Sequence, residues 1–157
     1  KERRIIGLIS DTHGLMRDAA LRALRGVDLI LHAGDVGAPE ILETLKALAP
    51  VIAVRGNVDS SAWGRALPLT EVIEAGPATI YMLHILEDLD LSPAAAGFDI
   101  VISGHSHKPG QYWKDGVLYV NPGSAGPRRF RLPITVARLD LGIRPWRAEF
   151  IELAVEK

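Results

Sequence analysis

Seven residues in this chain carry metal-binding chemistry and share one kind of position, just past an apolar run. Asp11 and His13 follow residues 5–9, Asp35 follows 29–32 and Asn57 follows 51–54. His84 closes the run 79–83, and His105 and His107 follow 99–102. All seven offer oxygen or imidazole donors, which suit a borderline dication such as Mn, Fe, Ni, Co or Zn better than Ca or Mg. Seven donors exceed the roughly four to six of one ion and match two ions that share a carboxylate. Asp11 and His13 stand two apart, and in an extended chain such residues project to the same side. His105 and His107 repeat the spacing, so each pair is expected on one face of an extended segment.

The charge balance points to the substrate. Two dications against Asp11 and Asp35 leave about +2, which a bridging hydroxide and an anionic phosphate would neutralise. Two metals about 3.5–4 Å apart can generate the hydroxide and hold both non-bridging phosphate oxygens. The reaction expected is phosphoester hydrolysis by in-line attack of a metal-bridging hydroxide, with no covalent intermediate. Each motif alone has a plainer use. Asp11-x-His13 is a short pattern, Gly34-Asp35 and Gly56-Asn57 are turn chemistry, and a single histidine such as His84 is commonly structural. His32 is read as a hydrogen-bonding neighbour rather than a ligand. Arg55 could meet a phosphate or pair with an acid. The cluster Arg128, Arg129, Arg131 reads first as a solvated basic face. Joint occurrence at strand ends carries the case.

The elements must deliver those ends together. Residues 16–25 form an amphipathic pattern stopped at Gly26, and 39–48 a second with Pro39 in its first turn. Between them lie short β-branched runs, so the first third reads strand, helix, strand, helix, strand. That order gives a parallel sheet with right-handed crossovers. Residues 63–68 read as loop, and 71–74 with 79–83 as a hairpin around Gly76-Pro77. Ser92 caps a short helix after the acidic 87–91 stretch. The remainder is antiparallel: 111–114 with 117–120 across Asp115-Gly116, then 133–141 with 146–153. The expectation is an α/β single domain over 1–157, with mixed sheets and helices outside.

Composition narrows the class. The 157 residues hold 18 Lys and Arg against 19 Asp and Glu, a net charge of −1 that signals neither nucleic acid nor membrane. There is no cysteine, which excludes disulfides, thiolate metal sites and cysteine nucleophiles. No run approaches the roughly 20 apolar residues of a membrane span. With no secretory signal visible, a cytoplasmic protein is expected, without stable nucleic-acid binding and with homo-oligomers left open.

Asp11-Thr12-His13-Gly14, Gly34-Asp35, Gly56-Asn57-Val58-Asp59, His84 and Gly104-His105-Ser106-His107 together resemble the five-block signature of calcineurin-like metallophosphoesterases. Asn121-Pro122-Gly123-Ser124 is similar to a motif of the small YfcE-type phosphodiesterase branch. The match runs in order from Ile5 to about Arg128. The resemblance implies a four-layer α/β/β/α sandwich of two mixed β-sheets with a dinuclear centre, Mn first and Ni, Fe, Co or Zn as alternatives. Carried over, one metal takes Asp11, His13, Asp35 and His107, the other Asp35, Asn57, His84 and His105, and Asp35 bridges.

Two departures from the family pattern stand out. Many members carry a histidine after Gly-Asn that protonates the leaving group; here, as is common in the small branch, it is absent and Val58 stands there, so no general acid is identified and Asp59 remains only as a candidate. Small-branch relatives read His-Gly-His where this chain has His84-Ile85-Leu86, so the neighbouring surface is more apolar. A phosphodiesterase acting on a small-molecule or nucleotide phosphodiester is the function implied. The alternative is a non-catalytic protein-binding scaffold like the retromer small subunit, which shares the fold. Intact ligand positions favour the enzyme, while Ile85-Leu86 leans toward the scaffold.

Overall fold

The computed structural model describes residues 5–154. Residues 1–4 and 155–157 of the expected domain 1–157 lie outside that range. The chain forms β1 (Ile5–Ile9), α1 (Asp18–Ala23), β2 (Leu29–His32), α2 (Pro39–Lys46), β3 (Val51–Ala53), α3 (Ala62–Arg65), β4 (Thr70–Ala75) and β5 (Ala78–Leu83). A 3-10 turn (Leu86–Asp88) and α4 (Pro93–Ala96) follow, then β6 (Ile100–Ile102), β7 (Gly110–Lys114), β8 (Val117–Asn121), β9 (Thr135–Asp140) and β10 (Ala148–Glu152).

Two five-stranded mixed sheets result, ordered β10-β9-β1-β2-β3 and β4-β5-β6-β8-β7. In the first, β1, β2 and β3 are parallel and β9 runs antiparallel to β1. In the second, β5, β6 and β8 are parallel, with β4 and β7 added as hairpin partners. The apolar runs are buried because both faces of these strands are covered. Ile6, Leu8 and Leu31 of the first sheet share one core with Ile80, Met82 and Ile102 of the second. Ile9 and Ile30 face the other way, onto Ile41, Leu42 and Leu45 of α2. Tyr81, Leu83, Val101 and Tyr119 make the outer face of the second sheet, covered by Leu86, Leu89 and Phe98. The four-layer α/β/β/α sandwich is therefore observed, with a fourth layer reduced to single turns.

Local expectations fared unevenly. The helix expected over 16–25 is confined to Asp18–Ala23, with Gly26 closing its exit at φ 85°. The stretch 63–68, expected as loop, contains α3; a single turn is too short for helical periodicity to show. Ser92 does cap α4, its Oγ accepting from the Ala95 N–H at 3.3 Å, and Gly97 at φ 84° ends it. Among the described residues, no helix is long and apolar enough to cross a membrane.

Both sheets begin their parallel pairs with the same device. Asp28 Oδ2 accepts from the Ile5 N–H at 2.9 Å, and Asp99 Oδ2 accepts from the Thr79 N–H at 2.8 Å. These bonds sit at strand starts, while the candidate ligands sit at strand ends. Asp99→Ala should therefore lower unfolding free energy by about 1–3 kcal/mol, the usual penalty for leaving a buried donor unsatisfied. Metal affinity, followed by calorimetric titration, should stay unchanged in the same variant.

Candidate metal centre

The ligand-bearing loops leave their strands in an unusual conformation. Asp11, His13, Asp35, His105 and His107 all have positive φ, at 55°, 47°, 55°, 73° and 63°. Only two other described non-glycine residues do so, Asp115 and Phe130. The extended geometry expected for Asp11–His13 and His105–His107 is thus not what forms. Left-handed backbone costs about 1–2 kcal/mol per residue outside glycine, least for short polar side chains. Cross-loop hydrogen bonds hold it: Asp11 N–H donates to Gly34 O at 3.0 Å, and His13 N–H to Asp35 O at 2.9 Å. His105 N–H donates to Asp11 Oδ2 at 3.1 Å. Gly104 admits that approach, since a Cβ there would strike Ser10 Oγ and lie 2.9 Å from Asp11 Oδ2.

These loops sort six of the seven candidates into two clusters. Asp11, His13 and His107 form one, and Asp35, His84 and His105 the other; in each, the ligand atoms lie within 4.8 Å of one another. His105 and His107 thus diverge to different clusters rather than sharing a face. Asn57 Oδ1 joins the second, 3.2 Å from His105 Nδ1. The clusters meet at the carboxylates. Asp35 Oδ2 lies 3.1 Å from His84 Nε2 and 3.6 Å from His13 Nε2. Asp11 Oδ1 lies 3.4 Å from His107 Nε2 and 3.8 Å from both His13 and His84 Nε2.

Hydrogen bonds fix which atoms face inward. Asp11 Oδ2 accepts from Ser10 Oγ at 2.8 Å as well as from His105 N–H, while Oδ1 is buried with no hydrogen bond. Asp35 Oδ1 accepts from Val58 N–H at 3.0 Å, leaving Oδ2 to face His84 and His13. His84 Nδ1 donates to Ala33 O at 2.7 Å, so neutral His84 presents a bare Nε2 lone pair to Asp35. That Nε2 is also buried with no hydrogen bond. Lone pairs of oxygen and nitrogen turned toward one another in a buried site call for a cation. The residues present therefore fit divalent metal.

The charge environment says the same. Burial pushes the Asp11 carboxyl up, but His107, His13 and His84 outweigh it and hold it far below the carboxylate range. Asp35 is likewise lowered, burial being overcome by His84 and the Val58 N–H. His84 is raised because Asp35 and Asp11 outweigh its burial, and His13 is raised by Asp11. Two anions draw positive charge onto whatever faces them.

Residues beyond the seven complete the frame. Asp59 accepts from the N–H groups of Val36, Gly37 and Gly56 at 3.1, 3.0 and 2.9 Å, and is buried. Both Asp59 oxygens accept from backbone N–H groups, so this side chain ties the two loops together. Asn121 donates to Gly104 O and Ser106 Oγ, both at 3.0 Å, and Ser124 Oγ donates to Asp11 O at 3.0 Å. The Asn121-Pro122-Gly123-Ser124 motif thus clamps the loops of both clusters. Ser10, Asn121 and Ser124 were not singled out individually by sequence, because a loop clamp has no fixed spacing from what it clamps. Arg55 lines a cavity with Asn57 and His84. Arg128, Arg129 and Arg131 are exposed, with Arg129 close enough to oppose protonation of His13.

His32 takes the structural part expected of it. Gly34 N–H donates to its Nδ1 at 3.1 Å, so its proton sits on Nε2, 3.0 Å from Thr12 Oγ1, which donates on to Val36 O at 2.8 Å. Burial lowers its pKa from 6.5 to about 4. The folded state then binds fewer protons than the unfolded state between those values. Stability from this group is complete above pH 6.5 and is lost as pH falls toward 4, by up to about 3 kcal/mol. Denaturant midpoints of metal-free protein should fall more steeply over that window than those of His32→Asn. Parallel curves would assign the acid sensitivity elsewhere.

Known proteins resemble this chain in sequence and in fold. The family model for the calcineurin-like phosphoesterase superfamily domain matches residues 5–143. A "probable metallophosphoesterase" of Methanothermobacter thermautotrophicus is 35% identical over 149 residues, covering 87% of this chain and 86% of that protein. Among solved structures, an archaeal phosphodiesterase superposes with a TM-score of 0.78 at 23% identity, covering 94% of this chain and 99% of the other. Vps29 of Entamoeba histolytica in complex with zinc gives 0.68 at 23%, covering 94% and 98%. At that identity the two structures speak to fold alone.

Proposed function

The chain belongs to the calcineurin-like phosphoesterase superfamily, and from that premise we propose that it is a metal-dependent phosphodiesterase acting on a small-molecule or nucleotide phosphodiester. The observation that carries this is the meeting of two three-donor clusters at Asp35, with Asp11 Oδ1 and His84 Nε2 buried and unsatisfied. In this proposal Asp11, His13, Asp35 and His107 hold one ion, and Asp35, Asn57, His84 and His105 the other. Manganese is the first choice; nickel, iron, cobalt and zinc fit the same donors. When bound, such a pair supplies an acidified water and positive charge for phosphoryl oxygens.

The chain's own residues prepare that chemistry. Ser10 and the His105 N–H hold Asp11 so that one oxygen faces the site, and the Val58 N–H does the same for Asp35. Ala33 O fixes the His84 tautomer. His105 and Asn57 are exposed while Asp11 and His107 are buried, so substrate approaches from the His105 side. Val58 has no proton to donate, and Asp59 is committed to backbone donors. The leaving group must then depart without a proton from either residue. Across aryl phosphodiesters, log kcat/KM should fall steeply as leaving-group pKa rises; a flat line with chemistry shown to limit turnover overturns that expectation.

A scaffold function is the second possibility, supported by the likeness to Vps29. Since that Vps29 carries zinc, metal uptake does not separate the two; turnover does. Metal-stripped protein, reconstituted with Mn, Ni, Zn or Mg, should hydrolyse diesters in preference to monoesters. His105→Ala should lose at least about 100-fold in kcat/KM, beyond what is typical of outer-sphere partners. Should no metal raise turnover above that variant, the protein works by binding.

A further inference from the structure

Of the seven candidate ligands, His105 alone lines a cavity of about 430 Å³. Its volume falls within the range of small-molecule sites, roughly 300–1,000 Å³. One wall is the outer face of the second sheet, where Tyr112 and Tyr119 pair across β7 and β8 and stack with ring centroids 5.0 Å apart and planes 5° apart. Tyr119 is buried, whereas Tyr112 is about half exposed, at 49%. Leu86, half-buried against the cluster that contains Tyr119, also lines the cavity. Glu87 and Lys108 stand exposed at the edge, and among the described residues neither makes an ion pair within 4.0 Å. The floor is the 103–106 loop, which also presents His105 to Asp35 and Asn57. A cavity with tyrosine and leucine side chains among polar neighbours therefore adjoins His105.

We propose that this cavity seats the nucleoside of a nucleotide phosphodiester, with the base against Tyr112 and Leu86 and its phosphate directed to His105. The inference rests on the phosphodiesterase function proposed above and specifies its substrate class. A phosphate bound at His105 leaves the rest of the ester to fill the adjoining space. A flat, weakly polar ring matches the tyrosine and leucine walls better than water or a sugar does. Lys108 supplies a cation to the phosphate edge, and Glu87 an acceptor for ribose hydroxyls or base amino groups. The polar amides nearby are not free to select the ligand. Asn121 is committed to Gly104, Ser106 and Gly123, and Gln111 makes two bonds to the Ala148 backbone. Discrimination then falls to Tyr112 and Leu86, neither of which was placed among the metal donors.

The test compares two diesters with the same leaving group: thymidine 5′-(p-nitrophenyl phosphate) and methyl p-nitrophenyl phosphate. The Mn-loaded wild type should show a KM at least about tenfold lower for the thymidine ester. Tyr112→Ala and Leu86→Asp should each erase that difference while leaving kcat/KM for the methyl ester within about twofold. Equal KM values in the wild type, or equal losses on both esters in the variants, overturn the nucleoside assignment and leave the phosphodiesterase proposal standing. If neither ester is turned over, that proposal fails and the cavity is judged by binding alone. Thymidine 5′-monophosphate is then titrated into wild type and Tyr112→Ala by NMR. Binding to the wild type that weakens about tenfold in the variant supports the site; no binding, or equal binding, overturns it.

Discussion

Burial of Asp11 and Asp35 around His84 is the constraint on which the rest of the structure depends. Each carboxylate is nearly sealed from water, and each points an oxygen at the same imidazole nitrogen, at 3.8 and 3.1 Å. Holding two anions in that volume costs several kcal/mol unless positive charge lies between them. The protein meets part of that cost with hydrogen bonds to the outward oxygens, from Ser10, His105 N–H and Val58 N–H. The inward oxygens and His84 Nε2 are left for a cation. A site with that balance is organised before the ion arrives, at the expense of stability in its absence.

The loops pay for convergence in backbone strain, and the fold shows where that strain is absorbed. Five candidate ligands occupy left-handed backbone, and each strained turn is braced by a neighbouring loop rather than by its own strand. Asp59 braces the loops after β2 and β3, while Asn121 and Ser124 brace those after β1 and β6. Parallel pairing makes this bracing possible. β1, β2 and β3 end at one edge of the first sheet, and β5, β6 and β8 at one edge of the second. Facing sheets bring the two edges together, and a four-layer sandwich follows from the need to cover both outer faces.

The centre is asymmetric in a way that bears on substrate. The Asp11–His107 side is buried under the Ser124 clamp, while the Asn57–His105 side is open and continues into the tyrosine-lined cavity. Val58 and Leu86 flank that open side, and both are apolar. Neither can donate a proton, and Leu86 supplies a surface for an apolar group. Chemistry would then depend on the leaving group's own acidity, and selection on the shape of what stays bound.

The sequence by itself determined the candidate donors, the parallel strand order and the family. Those depend on residue types at the ends of apolar runs, and burial of such runs is a local, composition-driven matter. Asp11, His13, Asp35, Asn57, His84, His105 and His107 were all legible this way, and the structure gathers all seven. Tertiary structure alone decided how they divide. His105 and His107 look like a pair by spacing yet serve different clusters, because positive φ turns them apart, and only bonds from other loops make that backbone tolerable. Asp59 looks like an available acid by its neighbours in sequence, yet three backbone N–H groups from distant loops consume it. Backbone conformation outside helices and strands, and the satisfaction of buried polar atoms, are set by contacts far apart along the chain, so no local pattern of residues encodes them.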